Sequence, residues 1–244
     1  MITVQHLQKI YSRRGKKLGL LDADFTVQSG QIVGVLGANG AGKTTLLRTM
    51  AGLLPQTGGR VQFDGVPACD SYARLSYLTG EGSYFPCLSV GEYGAFLTDV
   101  HPAFSPQRYA RFCEFFSLCA ADPISRLSTG QRARVELAAG FAKKADYYLM
   151  DEPFLGKDVF TRRDFLKLMS ATLRGGETVL LATHYIDEID TFLDRALLLN
   201  EGRIVQDIDM EAMRAKGETL MDCMAVACGW NPERYLSFAQ EEQA

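Results

Sequence analysis

The 244-residue sequence has no apolar run approaching the roughly 18–20 residues that a membrane-spanning helix needs. No basic segment leads into an apolar stretch at Met1-Ile2-Thr3-Val4-Gln5, so the N-terminus does not read as a signal peptide. The chain is therefore expected to be soluble and cytoplasmic, with any membrane role supplied by a partner. An excess of positive charge is also missing. Formal net charge is −3, which gives no reason to expect a nucleic-acid partner. There are only three histidines, and the six cysteines (Cys69, Cys87, Cys113, Cys119, Cys223 and Cys228) include no CxxC pair, so a zinc site lacks its usual spacing. The thiols read as reduced and mostly buried. No internal repeat or low-complexity linker divides the chain. Its length suits one large α/β domain, or one domain carrying a subdomain.

What is present is a set of short apolar runs separated by helical patterns. Gln31–Leu36, Val61–Phe63, Leu75–Leu78, Tyr147–Met150, Val179–Ala182 and Ala196–Leu199 read as strands. Leu46, Leu47, Met50 and Leu53 recur at helical spacing, and helices are expected near 161–173 and 186–193. Residues 84–145 differ in character: Phe96, Phe104, Tyr109, Phe112, Phe115 and Phe116 among Pro and Ala suit a helical subdomain. Strands alternating with helices imply a mainly parallel sheet with crossovers. Residues 207–244 read as a short helical tail with a polar end.

Gly37-Ala38-Asn39-Gly40-Ala41-Gly42-Lys43-Thr44 fits G-x-x-x-x-G-K-[ST] and lies between an expected strand and an expected helix. Glycines let successive N–H groups turn toward phosphate oxygens, and the following helix presents its positive end to the same anion. Lys43 is placed to reach β- and γ-phosphates, and Thr44 to ligate Mg²⁺. Tyr147–Met150 is an apolar strand ending in Asp151-Glu152, which beside such a loop suggests an Mg²⁺-associated acid and a general base. A second strand ends in Thr183-His184, at the sheet edge where open α/β folds bind ligands. His184 and Glu188 stand four apart, but a metal pair is not expected there.

Leu127-Ser128-Thr129-Gly130-Gln131 completes a recognisable order. It resembles the LSGGQ signature of ABC transporter nucleotide-binding subunits, with Thr129 for a glycine, and Gln131 stands 20 residues before Asp151. The resemblance runs over essentially the whole chain. It implies a P-loop NTPase fold of the ABC ATPase type: a mainly parallel α/β sheet, an N-terminal antiparallel β part and a helical subdomain, in one domain over 1–244. It implies that Tyr11 stacks on adenine and that Gly37, Ala38, Asn39, Gly40, Ala41, Gly42, Lys43, Thr44 and Thr45 cradle the triphosphate. Ser128, Thr129, Gly130 and Gln131 would meet the ATP of a second subunit. Thr44 and Asp151 would serve Mg²⁺, Glu152 would be the base, His184 the switch histidine and Asp158 the acid of the interface loop. The activity implied is ATP hydrolysis in a head-to-tail homodimer or heterodimer, driving transport through integral membrane permease subunits from the inner face of the cell membrane. Export is the expected direction. An iron–sulfur assembly ATPase is the alternative.

Two departures stand out. Tyr77-Leu78-Thr79-Gly80-Glu81 places Gly80 where the family carries a glutamine, with Glu81 one position along as a possible substitute. Lys157 replaces the usual leucine before Asp158. Tyr84 and Phe85, beside the altered loop, are the best candidates for the groove that would receive a membrane subunit's coupling helix.

Overall fold

The computed structural model describes residues 1–13, 16–80, 82–154, 159–173 and 176–227. In chain order the strands are β1 (Ile2–Arg13), β2 (Lys16–Val27), β3 (Ile32–Leu36), β4 (Gly58–Phe63), β5 (Val66–Pro67), β6 (Leu75–Thr79), β7 (Tyr147–Asp151), β8 (Thr178–Ala182), β9 (Arg195–Asn200) and β10 (Arg203–Asp209). The helices are α1 (Lys43–Met50), α2 (Val90–Val100), α3 (Pro106–Phe115), α4 (Thr129–Ala142), α5 (Val159–Thr172), α6 (Ile186–Ile189), α7 (Met210–Ala215) and α8 (Leu220–Ala227).

All ten strands lie in one sheet, ordered β5-β4-β1-β2-β10-β9-β3-β8-β7-β6. Its parallel half is β9-β3-β8-β7-β6. β7 and β8 are buried at every position, which is why they read as unbroken apolar runs rather than alternating ones. The other half is antiparallel, built from β1 paired with β2 and β4, and β5 paired with β4. Register shifts around His6 in β1 break the two-residue alternation there and bend the strand.

The sheet separates two cores. One face packs α1 and the N-terminal strands through Leu46, Leu47, Met50, Phe25 and Phe63. The opposite face packs α2 to α5 and the C-terminal helices. Phe165 of α5 sits at its middle, with ring centroids 5.8 Å from Phe141 and 5.0 Å from Phe154. α4 is seated on β6, where the Ser76 hydroxyl donates to the Gly140 carbonyl at 2.9 Å.

The aromatic positions between 84 and 145 divide by role. Phe104, Tyr109 and Phe116 are buried, whereas Phe85, Phe96 and Phe115 are exposed. The cysteine expectation needs correction. Among the described cysteines only Cys113 is buried; Cys69, Cys87 and Cys119 are exposed and Cys223 is half-buried. Cys87 and Cys119 lie in turns and loops, and Cys69 lies in a single 3-10 turn (Ala68–Asp70) with no buried residue, so none is carried inward by a packed face. Cys228 and the rest of the expected tail beyond Ala227 lie outside the described residues.

Candidate nucleotide site

The site is built at the carboxyl edge of the parallel strands. Val35 pairs with Ala182, and Asp151 pairs with Ala182, so β3, β8 and β7 end level with one another. The segment after β3 is the Gly37–Thr44 loop. Gly37 has φ +157°, and a Cβ there would meet the Leu199 carbonyl oxygen at 2.1 Å. Gly42 has φ +110° and caps α1 in the left-handed conformation without a side-chain hydrogen bond, so the first amides of the helix carry no side-chain cap. Such an N-terminus is an anion site. Ala38, Asn39 and Gly40 face solvent, while Thr45 lies in the first turn of α1. Lys43 is 6% exposed and folds back, its Nζ donating to the Gly37 carbonyl at 2.8 Å. The same ammonium lies 3.7 Å from Glu152 Oε1.

Asp151 is 3% exposed. Its Oδ1 accepts the Thr44 hydroxyl at 3.0 Å, and its Oδ2 accepts the Tyr77 hydroxyl at 2.8 Å. Burial pushes the Asp151 carboxyl above the ordinary carboxylate value, against the pull of those two hydrogen bonds. A hydroxyl and a carboxylate in contact beside a phosphate loop form an all-oxygen donor set, which fits Mg²⁺.

Glu152 follows with φ +47°, a left-handed conformation unusual for a non-glycine residue. Its N–H donates to the Ala182 carbonyl at 2.8 Å, which pins the turn to β8. Its Oε2 lies 2.9 Å from His184 Nδ1. Thr183, fully buried, turns the chain below His184 by accepting the Tyr185 N–H at 3.1 Å. Lys43, Glu152 and His184 therefore meet although 109 and 32 residues separate neighbours in the sequence.

Ser128 caps α4. Its hydroxyl accepts the Gln131 N–H, and Gln131 Oε1 accepts the Ser128 N–H, a reciprocal capping box. Ser128 and Thr129 are exposed, and Gly130 and Gln131 half-exposed. Tyr11 is exposed on β1, with the Lys9 ammonium 5.2 Å from its ring centroid.

The ABC transporter family model matches residues 20–155, which spans the loop, Ser128–Gln131 and Asp151-Glu152. The chain belongs to the ABC transporter family. It is an ATP-binding subunit of that family and an ATP hydrolase. Among its relatives, the taurine import ATP-binding protein TauB of Burkholderia pseudomallei (strain K96243) is 34% identical over 228 residues, covering 89% of this chain and 88% of TauB. The lipopolysaccharide export system ATP-binding protein LptB of Haemophilus influenzae (strain ATCC 51907 / DSM 11121 / KW20 / Rd) is 32% identical over 217 residues, covering 84% of this chain and 89% of LptB. The dimeric structure of the ATP-binding cassette MJ0796 bound to ADP and Pi has the same fold, with TM-score 0.75 at 22% identity over 86% of this chain and 99% of that one.

Within this ABC fold the structure adds residues that motif reading passed over. A Cβ on Gly202 would meet the Gly19 carbonyl oxygen at 2.2 Å, and the Gly202 N–H donates to the Ala41 carbonyl at 2.9 Å. The β9–β10 turn therefore braces the phosphate loop from below. Tyr11 packs on the same brace, since a Cβ on Gly19 would lie 2.8 Å from its ring. An isolated glycine in a strand pattern was the available signal. Tyr77 was also missed, because a tyrosine in a strand ordinarily reads as packing. Gly80 donates its N–H to the Asp151 carbonyl at 3.1 Å. Glu81 and Asp158 lie outside the described residues.

Proposed function

We propose that the chain binds Mg²⁺-ATP between the phosphate loop of one copy and the Ser128–Gln131 signature of a second subunit, and hydrolyses it to drive transport through separate membrane subunits. The observation that carries this reading is the meeting of Lys43, Glu152 and His184 beside the uncapped N-terminus of α1.

Lys43 exchanges its loop carbonyls for β- and γ-phosphate oxygens, while loop amides hold the rest of the triphosphate. Thr44 and Asp151 would hold Mg²⁺, which would neutralise charge developing on the phosphate oxygens. Glu152 takes the proton of the attacking water. Its turn is fixed by the backbone bond to Ala182, so the carboxylate is aimed before substrate arrives. His184 orients Glu152 through Nδ1 and would serve as the γ-phosphate contact. Tyr11, on the exposed face of β1 above Gly19, supplies the aromatic surface for adenine.

The reading places the signature against the ATP of a second subunit, in keeping with a signature whose described bonds stay at its own helix start. One loop and one signature per chain suit a symmetric pair, and the dimeric MJ0796 relative supports that arrangement. Asp158 would lie at that interface, and Glu81 would act from the altered loop. No described helix is long and apolar enough to cross a membrane. In this reading the membrane path belongs to partner subunits, with this chain peripheral on the inner face. Phe85 is 48% exposed and meets Phe96 edge-on at 5.0 Å, and Tyr93 anchors the adjoining loop through the Ser83 carbonyl at 2.8 Å. That aromatic ledge suits docking of a membrane partner's helix. Import and export relatives match at 34% and 32% identity, so the expected export gains no support from the comparisons. No observation favours the iron–sulfur assembly alternative.

The test is Glu152→Gln. Expected is a fall in kcat of about 10²–10⁴-fold with ATP binding retained; turnover at the wild-type rate would remove Glu152 as the base.

A further inference from the structure

We propose that Tyr77 is a positioning residue for the divalent cation, holding the Asp151 carboxylate in its working orientation through the phenol hydroxyl. The inference rests on the reading that Thr44 and Asp151 hold that cation.

The two oxygens of Asp151 are served from different elements. Oδ1 faces Thr44 at the start of α1, and Oδ2 faces Tyr77 on the neighbouring strand β6. Thr44 is itself a cation ligand in this reading, so its hydroxyl would serve the ion through oxygen as well as Oδ1 through its proton. Tyr77 is not a ligand, and its hydroxyl proton is committed to Oδ2 alone. Without it, Oδ2 would be a nearly buried anionic oxygen with no donor from β6, and the carboxylate would be free to rotate.

The phenol is suited to donate. An ordinary phenol keeps its proton at physiological pH, so the bond to Oδ2 is donated by Tyr77. Its acceptor side faces Arg48 Nε at 3.4 Å, from the last turn of α1. Tyr77 thereby ties both ends of α1 to β6 and β7: one through Thr44 and Asp151, the other through Arg48. β6 continues directly into Thr79 and Gly80, whose N–H bonds to the Asp151 carbonyl. The strand leading into the altered loop is thus coupled to Asp151 by one side chain and one backbone bond. Gly80 adds no side chain of its own, whereas Tyr77 on the same strand reaches the carboxylate.

Tyr77→Phe removes the hydroxyl and keeps the ring against its apolar neighbours. The probe is Mn²⁺, whose binding to the protein–ATP complex is followed by electron paramagnetic resonance. Tyr77→Phe is expected to weaken Mn²⁺ binding by about 10-fold, with ATP affinity in EDTA and the melting temperature unchanged. Mn²⁺ binding equal to wild type would overturn the inference, as would equal losses of metal-free ATP affinity and thermal stability, which mark a packing role. Asp151→Asn run alongside separates the levels. If it too leaves Mn²⁺ binding unchanged, the cation site itself is misassigned; if it weakens binding while Tyr77→Phe does not, only the role of Tyr77 fails.

Discussion

Single side chains in this protein act through what is fixed around them. Glu152 occupies a left-handed backbone conformation that its own residue type disfavours, held by β8 through one backbone bond. Asp64 is a second residue whose partners set its behaviour. Its carboxylate accepts the N-terminal ammonium at 2.5 Å, the Tyr147 hydroxyl at 2.6 Å and the Arg74 guanidinium at 2.6 Å. These hold its carboxyl well below the ordinary value of 3.8. A lowered folded-state pKa stabilises the fold above the unfolded value, and the contribution is lost as pH falls through the folded one. Asp64→Asn should therefore melt below wild type at neutral pH. The gap should narrow as pH drops below about 4, measured by circular dichroism melts across pH. A gap that widens toward acid would contradict the assignment. Lys43 and Thr44 were legible as candidates from the spacing of the phosphate loop, and Asp151, Glu152 and His184 from their places at strand ends and the order of the family's motifs. Tyr77 and Asp64 were not, because each acts through partners brought near only by the sheet.

Elements place these residues, and their neighbours matter more than their ends. The runs at β3, β7, β8 and β9 were readable because strands buried on both faces are continuously apolar. Sheet order was not readable: β3 lies between β8 and β9, strands more than 140 residues further along the chain. The bulged β1 was hard to place as well, since its register shifts erase the alternation that marks a strand. Two predictions belong here. Phe165→Ala, emptying the centre of the Phe141–Phe154 cluster, should cost about 3–5 kcal/mol in urea unfolding without a change in slope. Gly202→Val would drive a side chain into the Gly19 carbonyl, now 2.2 Å from where its Cβ would sit. It should weaken ATP binding and lower the melting temperature together, because the same turn braces Ala41. Wild-type ATP affinity in that variant would show that the brace does not shape the phosphate loop.

At the scale of the whole molecule, one chain presents two half-sites that do not meet within it: a phosphate loop at the carboxyl edge of β3, and an exposed helix start at Ser128. In the proposed dimer, ATP would join the uncapped α1 N-terminus of one copy to the Ser128 helix start of another. The sequence carried this much because the family's motifs appear in order. The Ser128 to Gln131 spacing also fits a capping box, and the structure shows Ser128 using its hydroxyl as that helix cap. The most direct measurement is the mass of the Glu152→Gln protein by light scattering with and without Mg²⁺-ATP. The account predicts a shift from the 27.0 kDa single chain to twice that mass on adding nucleotide, abolished by Ser128→Arg. A protein that binds Mg²⁺-ATP to saturation and stays at the single-chain mass would contradict it.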